Sequence, residues 1–517
     1  MSDANAGAPA DVDAIATRQA TPPAEVERSQ LHDLLDTQRA AFARGAPGYE
    51  QRMEALAALR DAVRARQDEL LRAVSADFGG RAPEETQLLE LFPLYDQIRH
   101  ARRHLKGWMR RRRVRTSWVL WPSRAFYQYQ PLGVVGVIGA WNYQLLLTLG
   151  PVVDAIAAGN HVILKPSEIT PRSADVIARI IADAFAPEYI ACVTGGPDVG
   201  AGFSQLPFDH LFFTGSTRVG TLVMSAAAAH LTPVTLELGG KSPAIVHDSY
   251  PFERAVQRIM KGKLLNAGQT CVAPDYVLLP ERRKADFETE ARRVVAELYP
   301  RLAQNADYTR IVNHTHLERL QALTEDAEAK GARVVTLGAD GEATGMDGGA
   351  KSGEANGSDG GAIGADDRLF PPTLVFDTTD DMALMQEEIF GPILPVVTYR
   401  TLADAIAYVN ARPHPLALYY FDHDEARVDA LLAATLSGGV TINDCIYHLG
   451  QHNLPFGGVG ASGMGSYHGF DGFQTFSKKR GVMVQSRRAG TSLLLPPYDA
   501  ARRRLVNRLL KLALRSR

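Results

Sequence analysis

From about residue 131 onward the chain repeats one unit: a short run rich in β-branched and aromatic residues, a helix-length segment, then another such run. Val134–Ile138, His161–Leu164, Ile190–Val193, His210–Phe213 and Val234–Leu236 are the short runs. A strand that reaches its neighbour through a helical crossover pairs with it in parallel, and a parallel sheet needs helices on both faces. The alternation therefore predicts an open α/β layer. A second alternating set begins near Pro243 and includes Tyr276–Leu279, Thr373–Phe376, Leu394–Tyr399 and Leu416–Phe421, with a helix over Leu402–Ala411. The chain has 517 residues, more than one hydrophobic core sustains, so two α/β domains are expected. Between Val26 and about Arg112 the spacing is helical. Leu56, Leu59, Val63, Leu70 and Val74 share one face; Leu88, Leu91, Tyr95, Ile98, Leu105 and Met109 share another.

These patterns divide the chain. Residues 1–25 read as a disordered lead; 26–114 with 131–237 form the first α/β unit, and 238–445 the second. The second carries a Gly-, Ala-, Asp- and Ser-rich surface insertion over 338–366. Residues 115–130 and 446–490 form a small β region bridging the two, and 491–517 a separate tail. In the tail Arg504, Arg508, Lys511 and Arg515 lie on one side of a helix while Leu505, Leu509 and Leu512 lie on another. Docking on the protein's own body or a sister subunit is favoured for it, ahead of a membrane surface and a dedicated protein partner.

Composition removes several function classes. Lys and Arg number 56 against 58 Asp and Glu, so no global field draws nucleic acid or anionic lipid. The Arg110–Arg113 run reads as a solvated helix end, without an aromatic platform on which bases would stack. The most apolar stretch, 131–159, is broken by Asn142, Gln144, Pro151 and Asp154, which excludes a membrane span there. The acidic, Ala/Pro-rich start lacks the form of a secretory signal. Three cysteines, Cys192, Cys271 and Cys445, are too few and too scattered for a disulfide framework or a metal site. A reducing, cytoplasmic location and no metal are expected.

Two phosphate-binding patterns fail on context. Gly458-Val-Gly460-Ala-Ser-Gly463 matches a dinucleotide fingerprint but has loop chemistry on both sides, and Gly240-Lys241-Ser242 ends like a P-loop but has Thr235 where the first glycine is required. His210-Leu-Phe-Phe-Thr-Gly215-Ser-Thr-Arg-Val-Gly220 survives, as a strand entering a glycine turn and then a helix. The unpaired N–H groups of that helix start suit an anion, and simple helix–strand packing is the alternative.

Among the thiols, Cys192 and Cys445 sit in apolar strand contexts that suit buried small hydrophobes. Cys271 lies in Asn266-Ala-Gly268-Gln-Thr-Cys271-Val-Ala-Pro, with small and polar neighbours that leave room for a substrate. A polar turn before a strand would produce the same local sequence. Glu237, in Leu236-Glu-Leu-Gly-Gly240-Lys, ends a β-run just before two glycines. A carboxylate there suits a general base of raised pKa, with a strand-end salt bridge as the alternative.

Taken together, Pro131-Leu-Gly133, Trp141-Asn142, Lys165-Pro-Ser-Glu168, Gly215-Ser to Gly220, Glu237-Leu-Gly-Gly-Lys, Gly268-Gln-Thr-Cys271, Glu387-Glu388-Ile-Phe390-Gly-Pro and Leu454-Pro-Phe-Gly-Gly458 resemble the ordered motifs of the NAD(P)-dependent aldehyde dehydrogenases. The likeness runs from about residue 30 to 485. Ser462-Gly-Met-Gly-Ser-Tyr-His468-Gly and Pro415-Leu-Ala-Leu-Tyr resemble the class 3 branch. Leu231-Thr-Pro-Val-Thr-Leu-Glu237 and the Cys271 segment are similar to its coniferyl aldehyde dehydrogenases. One departure is Ala140-Trp-Asn-Tyr-Gln144, where the family usually carries prolines on both sides.

The resemblance implies a Rossmann-like cofactor domain, a second α/β catalytic domain and a β region that bridges and oligomerises, in a homodimer. It implies NAD as cofactor with NADP usable, and an aromatic or longer aliphatic aldehyde as substrate. The Cys271 thiolate would attack the aldehyde, and Asn142 with the Cys271 N–H would hold the resulting oxyanion. After hydride loss, Glu237 would activate water against the thioester. Lys165 and Glu168 would hold the adenosine ribose, Gly215, Ser216 and Gly220 the pyrophosphate, and Glu388 with Phe390 the nicotinamide ribose. Trp141 belongs to the same cofactor set; Tyr143 and Phe456 are the candidates for the aldehyde pocket. A coenzyme A-dependent acylating enzyme is the alternative chemistry, and a non-enzymatic binding relative the alternative class.

Overall fold

In the computed structural model of the chain, residues 25–338, 368–488, 491 and 495–514 are described. The expected disordered lead and nearly all of the Gly-rich insertion lie outside them. Three sheets organise the rest. The first runs, edge to edge, Gly463–Met464, Val234–Glu237, His210–Thr214, Val134–Ile138, His161–Lys165 and Ile190–Cys192. It is parallel except for its Gly463–Met464 edge, which is antiparallel to Val234–Glu237. The second sheet runs Arg333–Thr336, Thr373–Phe376, Ile393–Tyr399, Tyr276–Pro280, Pro243–Val246, Ala417–Phe421 and Gly439–Ile442. It is parallel except where Arg333–Thr336 joins. A small antiparallel sheet pairs Arg112–Val114 and Ser477–Val484 with the two edges of Arg124–Pro131.

The inner strands of the two large sheets are buried on both faces, as their unbroken apolar runs require, while the edge strands Arg333–Thr336, Gly439–Ile442 and Gly463–Met464 are partly exposed. At two points the sheets cut across the boundaries read from the sequence. Gly463–Met464 pairs with the first sheet rather than the bridging region, and Arg112–Val114 belongs to the small sheet.

The helical lead comprises Glu25–Ala43, Tyr49–Ala65, Gln67–Phe78 and Phe92–Trp108. Leu56, Leu59, Val63, Leu70 and Val74 are buried as their spacing predicts. Leu88 is not. Gln87–Leu91 forms a π turn, whose extra residue shifts the phase of the face, so that Leu91 and Leu94 point inward while Leu88 is 66% exposed. The apolar stretch after residue 131 is the core helix Gln144–Ala158, buried along its whole length. No helix among the described residues is long and apolar enough to cross a membrane. The tail helix Ala500–Ala513 buries none of its residues against the described residues.

Candidate active site

Parallel strands deliver their carboxyl ends to one edge, and the register here aligns Ile138 with Lys165 and Thr214 with Glu237. The strand order doubles back between Val134–Ile138 and His210–Thr214, because the chain crosses from Ile190–Cys192 to the far side of the central strand. Crevices at such reversals bind ligands in open α/β sheets. The loops leaving these strands carry Trp141, Asn142 and Tyr143 on one side and Gly215 and Ser216 on the other.

Cys271 reaches this edge from the second domain. Its loop is bent by three consecutive residues of left-handed conformation, Asn266, Ala267 and Gly268, with φ of 52°, 50° and 74°. Such geometry at non-glycine residues stores strain of ~1–3 kcal/mol each. At Gly268 no other residue fits, since a Cβ would lie 2.3 Å from the Gly391 carbonyl oxygen. The Gln269 side chain pins the bend. Its Nε2 donates to the Asn266 and Arg310 carbonyls at 3.0 and 3.1 Å, and its Oε1 accepts from Val312 N at 2.9 Å. The Asn142 amide donates to the Gln269 carbonyl at 3.2 Å. The Tyr143 hydroxyl lies 2.6 Å from Thr270 Oγ1, one residue before Cys271. Asn142 and Tyr143 are thus brought onto the Cys271 loop.

Cys271 is partly accessible. Burial pushes its thiol well above the ordinary range, with the Glu388 and Glu237 carboxyls adding to the effect, while the N–H groups of Cys271 and Val272 favour the thiolate. Glu237 ends its strand as a buried carboxyl, and neither oxygen has a hydrogen-bond partner. That removes the salt-bridge reading. Burial alone raises its pKa well above the usual carboxylate value, so the carboxyl holds its proton and must release it before it can act as a base. Burial also lifts Glu388 to about 8, helped by Asp275 and opposed by the Gly240 N–H. The Glu388 carboxyl lies against Gly239, where a Cβ would meet Oε2 at 2.0 Å. Cys192, raised to about 12 by burial, and the buried Cys445 have no such surroundings.

The remaining cofactor candidates line the same edge. Lys165 Nζ donates to Glu168 Oε2 at 2.8 Å, with the lysine buried and the glutamate at the rim. Ser216 caps the helix Thr217–Ala228 through its side chain, and the exposed first turn of that helix leaves N–H groups free for an anion. Gly220 is buried one turn in. Trp141 stands edge-on to Phe390 at 5.2 Å between ring centroids and 4.8 Å from His316. Phe390 itself has φ of 52°. An anion-ready helix start, a carboxylate at the rim, and an enclosed Glu388 Oε1 without a partner fit a dinucleotide.

The whole-chain comparisons agree with this geometry. The aldehyde dehydrogenase family model matches residues 8–482. The chain belongs to the aldehyde dehydrogenase family. It is 48% identical to a probable coniferyl aldehyde dehydrogenase of Pseudomonas aeruginosa over 93% of this chain and 97% of that protein. It is 42% identical to a coniferyl aldehyde dehydrogenase of a Pseudomonas species over 92% and 96%. Among solved structures, a substrate-bound Staphylococcus aureus AldH superposes with a TM-score of 0.83 at 38% identity, covering 93% of this chain and 99% of that one. An NAD+ complex of a Bacillus cereus aldehyde dehydrogenase gives 0.74 at 25% identity, covering 89% of each chain. The chain is an NAD(P)-dependent aldehyde dehydrogenase.

Within this aldehyde dehydrogenase, Phe456 is buried in a stack with His468, at 5.2 Å and an interplanar angle of 18°. Its backbone pairs with Tyr467. Across that bridge the Tyr467 hydroxyl is raised well above its ordinary range by burial, with the Glu237 and Cys271 groups adding to the effect. Sequence reasoning did not single out Tyr467, Thr270 or Asp275. The last holds Lys241 Nζ at 2.5 Å and accepts from Ile389 N at 3.1 Å. Lys241 also donates to the Leu384 and Glu387 carbonyls, so the lysine that imitates a P-loop anchors the Glu388 loop instead. The position of Asp275 just after the Cys271 segment was the available signal. Gln144, the departure from the usual proline, is buried at the start of the core helix with no hydrogen-bond partner for its amide.

Proposed function

We propose that this aldehyde dehydrogenase oxidises aromatic aldehydes of the coniferyl type, or longer aliphatic ones, to the carboxylic acid through a covalent intermediate on Cys271. The observation that carries this reading is the convergence of the thiol, the Asn142 amide and the unpartnered Glu237 carboxyl at one sheet edge. The thiol proton passes to the ionised Glu237 or Glu388 carboxyl and on to solvent, which leaves Glu237 free for the later step. The thiolate adds to the aldehyde carbon to form a hemithioacetal. One N–H of the Asn142 amide is fixed on Gln269; the other, with the Cys271 N–H, receives the oxyanion. When bound, the oxidised nicotinamide supplies the two-electron acceptor that turns the adduct into a thioester. Glu237 then takes a proton from water, the hydroxide attacks the thioester carbon, and the acid leaves as the thiol is regenerated. A buried carboxyl with no partner favours this hydrolysis over transfer to coenzyme A.

Tyr143 and Tyr467 supply an apolar, aromatic wall suited to a ring. For the cofactor, Glu168 at the rim disfavours a 2′-phosphate. Two like charges ~4 Å apart at an effective dielectric near 20 repel by roughly 4 kcal/mol before screening. The Lys165 pairing offsets part of that repulsion, so NAD is preferred and NADP remains usable. The small sheet and the turn that joins two of its strands expose Trp121 at 75%, together with Val114, Trp118, Met483 and Val484, an apolar surface consistent with a homodimer. The reading includes a cytoplasmic location, for which the sparse and scattered cysteines speak, and a peripheral lipid contact of the exposed basic tail helix.

NADH formation by purified wild type, Cys271→Ala and Cys192→Ala, with coniferyl aldehyde and with acetaldehyde, tests the reading. Only Cys271→Ala should lose activity, and the aromatic substrate should have the higher kcat/KM. Turnover by folded Cys271→Ala would end the covalent account, and equal specificity constants would end the aromatic one.

A further inference from the structure

Beneath the two catalytic loops lies a buried ion cluster to which the chemistry above assigns no role. Arg81 has no side-chain exposure. Its Nη1 donates to Glu90 Oε1 at 3.0 Å and to the Asn142 carbonyl at 3.4 Å. Its guanidinium also lies 5.1 Å from the centroid of the Tyr143 ring. The second oxygen of Glu90 accepts from Leu145 N at 2.8 Å and Leu146 N at 3.4 Å, where the core helix begins. Glu85, whose Oε2 is 3.7 Å from Arg81 Nε, accepts from Asn266 N at 2.6 Å. The Asn266 amide in turn donates to the Asn142 and Gln269 carbonyls at 3.0 and 3.1 Å. One guanidinium and two carboxylates therefore hold, on one side, the loop carrying Asn142 and, on the other, the bend that presents Cys271. The π turn places Glu90 inward to complete the cluster.

We propose that Arg81 is a positioning residue for aldehyde oxidation, setting the separation between the Asn142 amide and the Cys271 thiol. The proposal rests on the covalent reading of Cys271. Stability does not by itself account for the arrangement. A buried ion pair is weak evidence of stabilisation, and Arg81 Nε and Nη2 have no hydrogen-bond partner. What the cluster does provide is a fixed distance. Arg81 grips the Asn142 carbonyl, one peptide unit from the side chain that receives the oxyanion, and the Glu85–Asn266 contact fixes the other loop to the same point. A displacement of about 1 Å in such a constellation can lower the rate by ~10²-fold.

The test uses the full chain with NAD. It compares wild type, Arg81→Lys, and the double variant Arg81→Met with Glu90→Gln, which removes the guanidinium together with the carboxylate it hydrogen-bonds and leaves Glu85 on the Asn266 N–H. For each we would measure kcat, KM for NAD and for aldehyde, and the rate at which iodoacetamide alkylates Cys271, a reaction that develops no oxyanion. The double variant should lose about tenfold to a hundredfold in kcat, with KM for NAD and the alkylation rate within about twofold of wild type. Arg81→Lys, which keeps the charge but not the forked donors, should lose about tenfold. A double variant with kcat within twofold of wild type overturns the proposal. So does a parallel fall in kcat, NAD binding and alkylation, which marks a general loosening of the fold. If the double variant is insoluble, Arg81→Lys decides by the same criteria. Activity in Cys271→Ala would refute the covalent reading on separate grounds.

Discussion

Replacing Glu237 by Gln changes one property of the site. The two side chains have nearly the same shape, so no cavity opens, and since neither carboxyl oxygen has a partner, no donor is orphaned. What disappears is the capacity to take a proton from water. A positioned general base contributes ~10²–10⁴ in rate, or about 3–5 kcal/mol of barrier at 1.36 kcal/mol per decade. In the covalent scheme this loss falls on thioester hydrolysis, after NADH has formed. Stopped-flow absorbance of Glu237→Gln should therefore show a burst approaching one NADH per active site, followed by a steady state slower by about those factors. Absence of the burst, with the first turnover slowed as much as the later ones, would show that Glu237 mainly activates the thiol. The raised pKa adds a signed pH signature. Glu237 must lose its proton to act, so wild-type hydrolysis should accelerate as pH rises, and the Gln variant should lack that limb. For stability the sign is reversed. Above the ordinary value of 4.5 the unfolded chain ionises this group while the fold keeps it protonated. Wild type thus loses stability as pH rises above that value, and the melting temperature of Glu237→Gln should gain on it with pH.

Glu168→Ser should narrow the NAD preference by improving initial rates with NADP, and a wild-type preference for NADP contradicts the charge argument. Asp154, buried in the core helix and raised to about 8 by desolvation, stays protonated in the fold while the unfolded chain ionises above 3.8. Wild type should therefore melt progressively lower than Asp154→Asn between about pH 5 and pH 8; parallel melting curves would refute this. Truncation after Pro497 should leave kcat unchanged, because the helix Ala500–Ala513 buries nothing. The same truncation should abolish salt-sensitive sedimentation with anionic vesicles. Equal sedimentation of both forms points to a protein partner for the tail.

Strand–helix alternation made the two parallel sheets legible from the sequence, because burial on both faces demands unbroken apolar runs. Gly215-Ser216 at a strand end and Cys271 among small residues were legible for a similar reason, since tight turns and open thiols restrict the residues that serve. The Gln87–Leu91 π turn was not. Its extra residue leaves the apolar spacing readable as an ordinary helix and shows only in which side chains end up inside. Phe456 carries a pocket expectation from its motif, and the fold sets Tyr467 opposite it across an antiparallel bridge, a pairing that a separation of eleven positions in the sequence does not display.

By itself, then, the sequence determined the class of fold and the order of its strands along the chain, and it nominated the thiol and the carboxyl on which the proposed chemistry rests. The tertiary structure decided the distances and the proton affinities. Tyr143 meets Thr270 across 127 positions of sequence, and Arg81 meets the Asn142 carbonyl across 61, because tertiary packing brings helices and loops from distant parts of the chain to one edge. Glu237, Glu388 and Cys271 hold their protons so tightly only because that packing takes water away from them.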